Sequence, residues 1–302
     1  MRNIVITGAT GMIGSALSRL ALNKGDKVTA IVRPGSKRLD NLDERVNIVE
    51  CELSGLNDLS LCGAFDAFLH LGWDKTTLSG RDDVDIQLEN IKYTLDAVRL
   101  AKKLGCEVFI GAGSQAEYGI TDKPISASSP VNPQSVYGIA KYAAGKMSYN
   151  LCRQLGIRHC WARILSIYGI YDADTTLIMY LIKNFLKGED VDLTPCEQIW
   201  DYMFCDDAAL ALYSIMEKGK NGAVYCLGGG EGRKLKDYVL DIKEIVGGNS
   251  NINFGAREYY PHQPMYLVAD ISDLTADTGF VPKTPFKEGI KKTVEWLKEK
   301  NQ

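Results

Sequence analysis

The chain has 302 residues, 45% of them hydrophobic and 24% charged, and carries a net charge of −3 at pH 7. That length can bury one large α/β core or two modest ones. The charge gives no basis for a nucleic-acid or anionic-membrane partner, and no stretch approaches the roughly 20 apolar residues of a membrane span.

Asn3 to Ile6 is a short β-branched run, long enough for one buried strand. Thr7 to Gly14 follows with Gly8, Gly11 and Gly14 at G-x-x-G-x-x-G spacing, and an amphipathic helix pattern (Ile13, Leu17, Leu20) starts inside it. A strand that passes through glycines into a helix makes a phosphate cradle, where the backbone turns tightly and free N–H groups face an anion. Three glycines alone would fit a plain turn; the order strand, glycines, helix predicts a dinucleotide site. Thr10, Met12 and Ile13 join the glycines as expected cofactor contacts. Met1 leads almost directly into the strand with no secretory pattern, so a cytoplasmic protein is expected.

Lys27 to Val32 is predicted as the second strand, and it ends in Arg33-Pro34-Gly35-Ser36-Lys37-Arg38. The end of this strand faces the adenosine ribose, where a 2′-phosphate wants arginine and a free hydroxyl wants an acid. Arg33 and its basic neighbours favour NADP(H) with NAD still possible; the bland alternative is a solvated loop. Val46 to Glu50 is a third strand, leading to Glu52 and Leu53 as candidate adenine contacts. A fourth, Ala67 to Leu71, runs into Gly72 and Trp73. Small Gly72 suits close approach of the cofactor, while Trp73 either walls the cleft or simply packs.

A helix over Ile86 to Lys103 and a fifth strand over Glu107 to Gly111 continue the alternation of a doubly wound parallel α/β sheet. Ser114 follows in the segment at its end, Gly111-Ala112-Gly113-Ser114. A Pro- and Ser-rich loop then leads to Tyr137-Gly-Ile-Ala-Lys141 at the start of a helix reaching Leu155. Tyr137 and Lys141, four apart, share a helix face, and an ammonium beside a phenol favours phenolate. With Ser114 holding the substrate oxygen, these three make a candidate catalytic set. Tyr142 and Lys146 repeat the spacing but lie roughly 140° around the helix, so they are expected to pack or face solvent.

In the last third, helices are expected over Thr175 to Leu186, from an Asp206-Asp207 N-cap to Lys218, over Lys234 to Val246 and over Lys283 to Lys300. Ala223 to Gly228 reads as a further sheet strand, and Gly228-Gly229-Gly230 as a turn rather than a second phosphate site. The eight cysteines are scattered without a C-x-x-C pair and are read as buried, reduced thiols. His70, His159 and His262 stand apart from other ligands, so no metal is expected.

Thr7 to Gly14, Ser114 four residues before Tyr118-Gly119, Tyr137 to Lys141, Ala162-Arg163 to Tyr168-Gly169, Gln198 to Asp207 and Thr278 to Pro282 resemble the NAD(P)-dependent epimerase/dehydratase family. This is the extended branch of the short-chain dehydrogenase/reductases, which acts largely on nucleotide sugars. The resemblance implies a Rossmann domain over 1–165, with part of 200–230 returning to it. A smaller α/β substrate domain would cover 166–302, with the nucleotide sugar bound between the two. It also implies a homodimer through the helices near Ile86–Lys103 and Val136–Leu155. Leu71, Gly72 and Lys141 are expected at the cofactor. Ser114, Gln115, Tyr137, Ser166, Trp200 and Arg257 are expected at the substrate, Arg257 against the diphosphate unless it is a plain surface arginine. Ser166 and Trp200 depart from the asparagine and arginine common among relatives. Family 4,6-dehydratases carry Asp-Glu directly after the catalytic hydroxyl residue, but this chain has Gln115 and Ala116. The reading is therefore an NADPH-dependent reductase of a nucleotide-linked 4-keto(-6-deoxy) sugar. The alternatives are an NAD-dependent nucleotide-sugar 4-epimerase and, more distantly, a non-catalytic NADPH sensor.

Overall fold

The computed structural model describes residues 1–76, 78–261 and 263–300; His262 lies outside the described residues. The first half runs β1 (Asn3–Thr7), α1 (Met12–Asn23), β2 (Lys27–Val32), β3 (Asn47–Glu50), β4 (Ala67–His70), α2 (Leu78–Arg81), α3 (Val84–Lys103), β5 (Val108–Ser114), α4 (Val136–Leu155) and β6 (Arg158–Ile164). The chain continues through β7 (Ser166–Tyr168), α5 (Leu177–Lys187), β8 (Val191–Leu193), β9 (Ile199–Trp200), β10 (Tyr202–Phe204), α6 (Cys205–Lys218) and β11 (Ala223–Leu227). It closes with β12 (Arg233–Lys234), α7 (Leu235–Val246), β13 (Ile252–Phe254), β14 (Tyr266–Leu267), α8 (Ser272–Thr278) and α9 (Phe286–Lys300).

Among the described residues, seven strands form one parallel sheet in the order β11-β6-β5-β4-β1-β2-β3. The two-residue period of a strand decides its layers. Ile4 and Ile6 pack with Leu17 of α1 and Ala208 of α6 on one face. Val5, Phe68 and Phe109 pack with Val98 of α3 and Cys152 of α4 on the other. The order reverses between β1 and β4, and a doubly wound sheet opens a crevice beyond the strand ends at such a reversal. The candidate site lies there.

Local signals set most element ends. Ser135 caps α4 by accepting from the Gly138 N–H (3.1 Å), and Gly156 ends that helix in the left-handed conformation. Some expected boundaries shift. β5 runs past the expected Gly111 to Ser114, because pairing with β6 continues to Ser114 opposite Ile164. The Asp206-Asp207 pair is not the cap of α6, which follows Phe204 with no side-chain cap; Asp207 instead accepts from the N–H groups of Lys283 and Thr284. Those contacts and Pro285 delay α9 to Phe286. The Gly228–Gly230 turn wraps a carboxylate of its own chain: Asp201 accepts from Gly229, Gly230 and Ala269 N–H groups. Cys62 is exposed and Cys51 half-buried, while the other six cysteines are buried and all eight are free thiols. No described helix is long and apolar enough to cross a membrane.

Candidate active site

At the crevice, Gly8 takes a φ of +70°, and a Cβ there would come within 2.8 Å of the Gly72 nitrogen. Glycine is thus required twice over, by backbone hand and by space. A Cβ on Gly14 would sit 2.3 Å from the Gly8 carbonyl, so Gly14 sets the close packing of α1 on this turn. The helix itself begins after Gly11 with no side-chain cap and no acid in its first turn, leaving N–H groups for an anion. The Thr7 hydroxyl accepts from the Gly72 N–H (3.1 Å) and contacts His70 Nδ1 (2.8 Å), which locks the ends of β1 and β4 together.

A cavity of about 540 Å³ extends from these glycines. Gly8, Thr10, Gly11, Leu71 and Gly72 line one part of it, and Arg33, Ser36, Arg38, Glu52 and Leu53 another. Met12, Ile13 and Gly14 are not among its walls; they form the first turn of α1, offering backbone rather than side chains.

The candidate catalytic set hangs on the end of β5. Ser114 caps a short turn over Gln115–Glu117, its Oγ accepting from the Ala116 N–H (3.2 Å). Glu117 reaches back to accept from the Ser114 N–H (2.9 Å), which completes a capping box. The same carboxylate, fully buried, also accepts from the Trp161 indole (2.9 Å) and from Arg163 Nε (2.6 Å). Gly138 lies so close to this turn that a Cβ would sit 2.3 Å from the Ala116 carbonyl, and α4 therefore starts directly against Ser114. Tyr137 is 7% exposed; burial pushes its phenol pKa up, while the neighbouring Ser114 hydroxyl pulls it down.

Lys141 is placed differently from the expectation. Its Nζ donates to the Ala112 carbonyl (2.7 Å) and rests 3.6 Å from the centre of the Trp73 ring. Trp73, not Lys141, forms the cavity wall. Burial lowers the Lys141 pKa to about 7, with the Glu117 charge opposing and Arg81 adding to the fall.

Trp200 and Arg257 line a second cavity of about 550 Å³ with Tyr180, Gln198 and Tyr202. The Trp200 indole donates to Ser166 Oγ (2.8 Å), so the two residues that depart from the common pattern satisfy each other. Gln115 is half-buried at the turn after Ser114. Tyr142 and Lys146 stand apart from Ser114, with Lys146 exposed over the Tyr142 ring.

A family model, the NAD dependent epimerase/dehydratase family, matches residues 4–228. The chain belongs to this family. Family proteins that it resembles include the dTDP-glucose 4,6-dehydratase of Haemophilus influenzae, 25% identical with 98% of each chain covered. A CDP-abequose synthase of Salmonella typhimurium is 26% identical over 97% of this chain and 98% of that protein. The fold superposes on a UDP-glucose 4-epimerase of Thermotoga maritima solved with UDP-glucose, with a TM-score of 0.89, 23% identity, and 99% and 100% of the two chains covered. The chain is accordingly an enzyme of the NAD-dependent epimerase/dehydratase class.

Four residues to which sequence reasoning gave no role in the site pack around it. Arg163 and Trp161 are buried partners of Glu117, and no local pattern announces them. Arg81 stands over Tyr137 from the end of α2, a single turn too short to show a period. Glu117 did leave a signal, since Ser114-x-x-Glu117 is the capping-box pattern.

Proposed function

We propose that the protein is an NADPH-dependent reductase of a nucleotide-linked 4-keto(-6-deoxy) sugar. The observation that carries this reading is the arrangement of Ser114 and Tyr137 beside a glycine cradle whose far wall bears Arg33 and Arg38. Neither guanidinium has an ion-pair partner among the described residues, and a 2′-phosphate supplies one. The cradle fits a dinucleotide because Gly8, Gly11 and Gly72 line the cavity without side chains and the first turn of α1 has no side-chain cap and no acid.

When bound, NADPH supplies the hydride. Tyr137 Oη delivers the proton to the carbonyl oxygen, and the Ser114 hydroxyl, held by its capping turn, donates a hydrogen bond to that oxygen. Gly8, Thr10, Gly11 and the first-turn N–H groups of Met12 and Ile13 would hold the pyrophosphate, Glu52 and Leu53 the adenine, and Leu71, Gly72 and Lys141 the nicotinamide end. Trp200, Ser166 and Gln115 border the sugar, and Arg257 takes the diphosphate; relatives named for dTDP-, CDP- and UDP-sugars support that substrate class. A dehydratase needs a free acid and base beyond the tyrosine. Gln115 and Ala116 offer none, and the Glu117 carboxylate is fully engaged by Ser114, Trp161 and Arg163. A homodimer through α3 and α4 is supported by their exposed Val84, Leu88, Ile139 and Met147.

The 4-epimerase reading keeps one supporting observation, the likeness to family 4-epimerases in fold. The test is a panel of nucleotide-4-ketosugars offered with NADPH or NADH while nicotinamide absorbance is followed. Net oxidation of NADPH by protein purified without cofactor supports the reductase. Tightly bound NAD(H) in fresh protein, with interconversion of 4-epimers and no net oxidation, supports the epimerase instead.

A further inference from the structure

The cation nearest the Tyr137 ring is not Lys141. The Arg81 guanidinium stands 4.7 Å from the centre of that ring, whereas Lys141 Nζ is 5.8 Å away and committed to Ala112 and Trp73. Several contacts hold Arg81 in place. Its Nε donates to the Thr76 carbonyl (3.0 Å). A Cβ on Gly80 would meet the Lys75 Cβ at 2.4 Å, so glycine lets the loop close and carry Arg81 back over the phenol. Gln87, fully buried on α3, donates to the Gly80 carbonyl (2.8 Å) and accepts from the Trp73 indole (2.9 Å). One amide side chain thus ties the Arg81 turn to the ring that carries Lys141. No carboxylate lies within ion-pair distance of Arg81 among the described residues.

We infer that Arg81 is a positioning residue for proton transfer, its fixed charge stabilising the Tyr137 phenolate left when the proton departs. The inference rests on Tyr137 as proton donor. Donation leaves a negative charge on a buried side chain, where desolvation disfavours it. The groups facing the phenol are Ser114 from β5, Glu117 from the turn after it, Arg81 from α2 and Lys141 from α4. The Ser114 hydroxyl and the Arg81 charge favour phenolate, and Glu117 opposes it. Lys141, lowered to about 7, loses its charge as pH rises through neutrality. A guanidinium stays charged across that whole range. Above neutral pH, Arg81 is therefore the cation on which the phenolate depends.

The test is a pH titration of cofactor-free protein labelled with 13C at tyrosine Cζ, with Tyr137→Phe identifying the resonance. In Arg81→Met the Tyr137 resonance is expected to titrate about one pH unit or more above wild type. An unchanged titration in Arg81→Met overturns the inference. So does a urea midpoint of Arg81→Met far below wild type, which would mark a structural effect rather than the loss of a charge. The titration needs no substrate, so a wrong substrate class leaves it readable. With an accepted 4-ketosugar, kcat should fall about tenfold or more in Arg81→Met with KM nearly constant. A raised KM at unchanged kcat would make Arg81 a substrate-binding residue and end the proposal.

Discussion

Tyr137 carries the chemistry through one atom, its phenolic oxygen. Replacing it by phenylalanine keeps the ring against Trp73 and Arg81 and removes only the hydroxyl group. Turnover of Tyr137→Phe is expected to fall by roughly 10²- to 10⁴-fold, the range for losing a positioned acid, with NADPH binding by fluorescence unchanged. At the other end of the cavity, Arg33 and Arg38 are exposed guanidiniums whose proposed role is to meet a 2′-phosphate. Truncating both to alanine should weaken NADPH binding by about tenfold or more, since hydrogen bonds to charged groups contribute roughly 1.5–3 kcal/mol each. Calorimetry with NADH as the control should show almost no change; equal losses for the two cofactors would remove the basis for preferring NADPH. Tyr137, Lys141 and Ser114 were legible as residue types at helix and strand-end positions. Arg81 was not, because the four residues of α2 are too few to give a period from which to infer what its side chain reaches.

β5 shows how an element turns sequence into a site. Its Gly111 and Gly113 look like flexible punctuation, yet Cβ atoms there would lie 2.2 and 2.3 Å from the Trp161 ring of β6. With Gly145 of α4 they form a slot for that indole, which then donates to Glu117. The slot, the capping box and the Arg163 ion pair are one unit, and Ser114 is where it meets the candidate substrate site. Glu117→Gln keeps the shape and removes the charge, leaving Arg163 buried without its counter-ion. Breaking a buried pair in this way costs about 3–5 kcal/mol, which a urea titration reads directly. Losing the negative charge also lets the Lys141 pKa fall further, since Glu117 is what opposes its desolvation. The alkaline limb of the rate profile should therefore move to lower pH in Glu117→Gln. A limb that stayed in place would show that Glu117 does not sustain the Lys141 charge.

At the scale of the whole molecule, a ladder of rings runs across the sheet, with Phe68, Phe109, His159 and Trp161 in near-parallel succession and His70 also stacked on Phe109. Burial lowers the pKa of His70 to about 3 and that of His159 to about 4. In the unfolded chain both titrate near 6.5. Between those values the unfolded state binds more protons than the folded one, so stability is full above about pH 6.5 and declines as pH falls toward 4. From pH 7 to pH 5 the decline should be on the order of 2 kcal/mol for each ring, read as a lower urea midpoint. A midpoint unchanged over that interval would contradict neutral burial of the two imidazoles.

Periodicity and punctuation, which are local, determined the alternation of strand and helix, the glycine turn after β1 and the Tyr-x-x-x-Lys face of α4. They sufficed because hydrogen-bond geometry within a few residues sets where an element starts and what its glycines permit. What the sequence left undecided depended on distance through space. Glu117 needed Arg163 and Trp161 from β6, and Asp207 was drawn off its helix cap by Lys283 and Thr284. Arg81 came to Tyr137 only because Gln87 and Gly80 fold its loop inward. Buried charges and donors must find partners wherever the packed chain presents them, and no linear pattern records that choice.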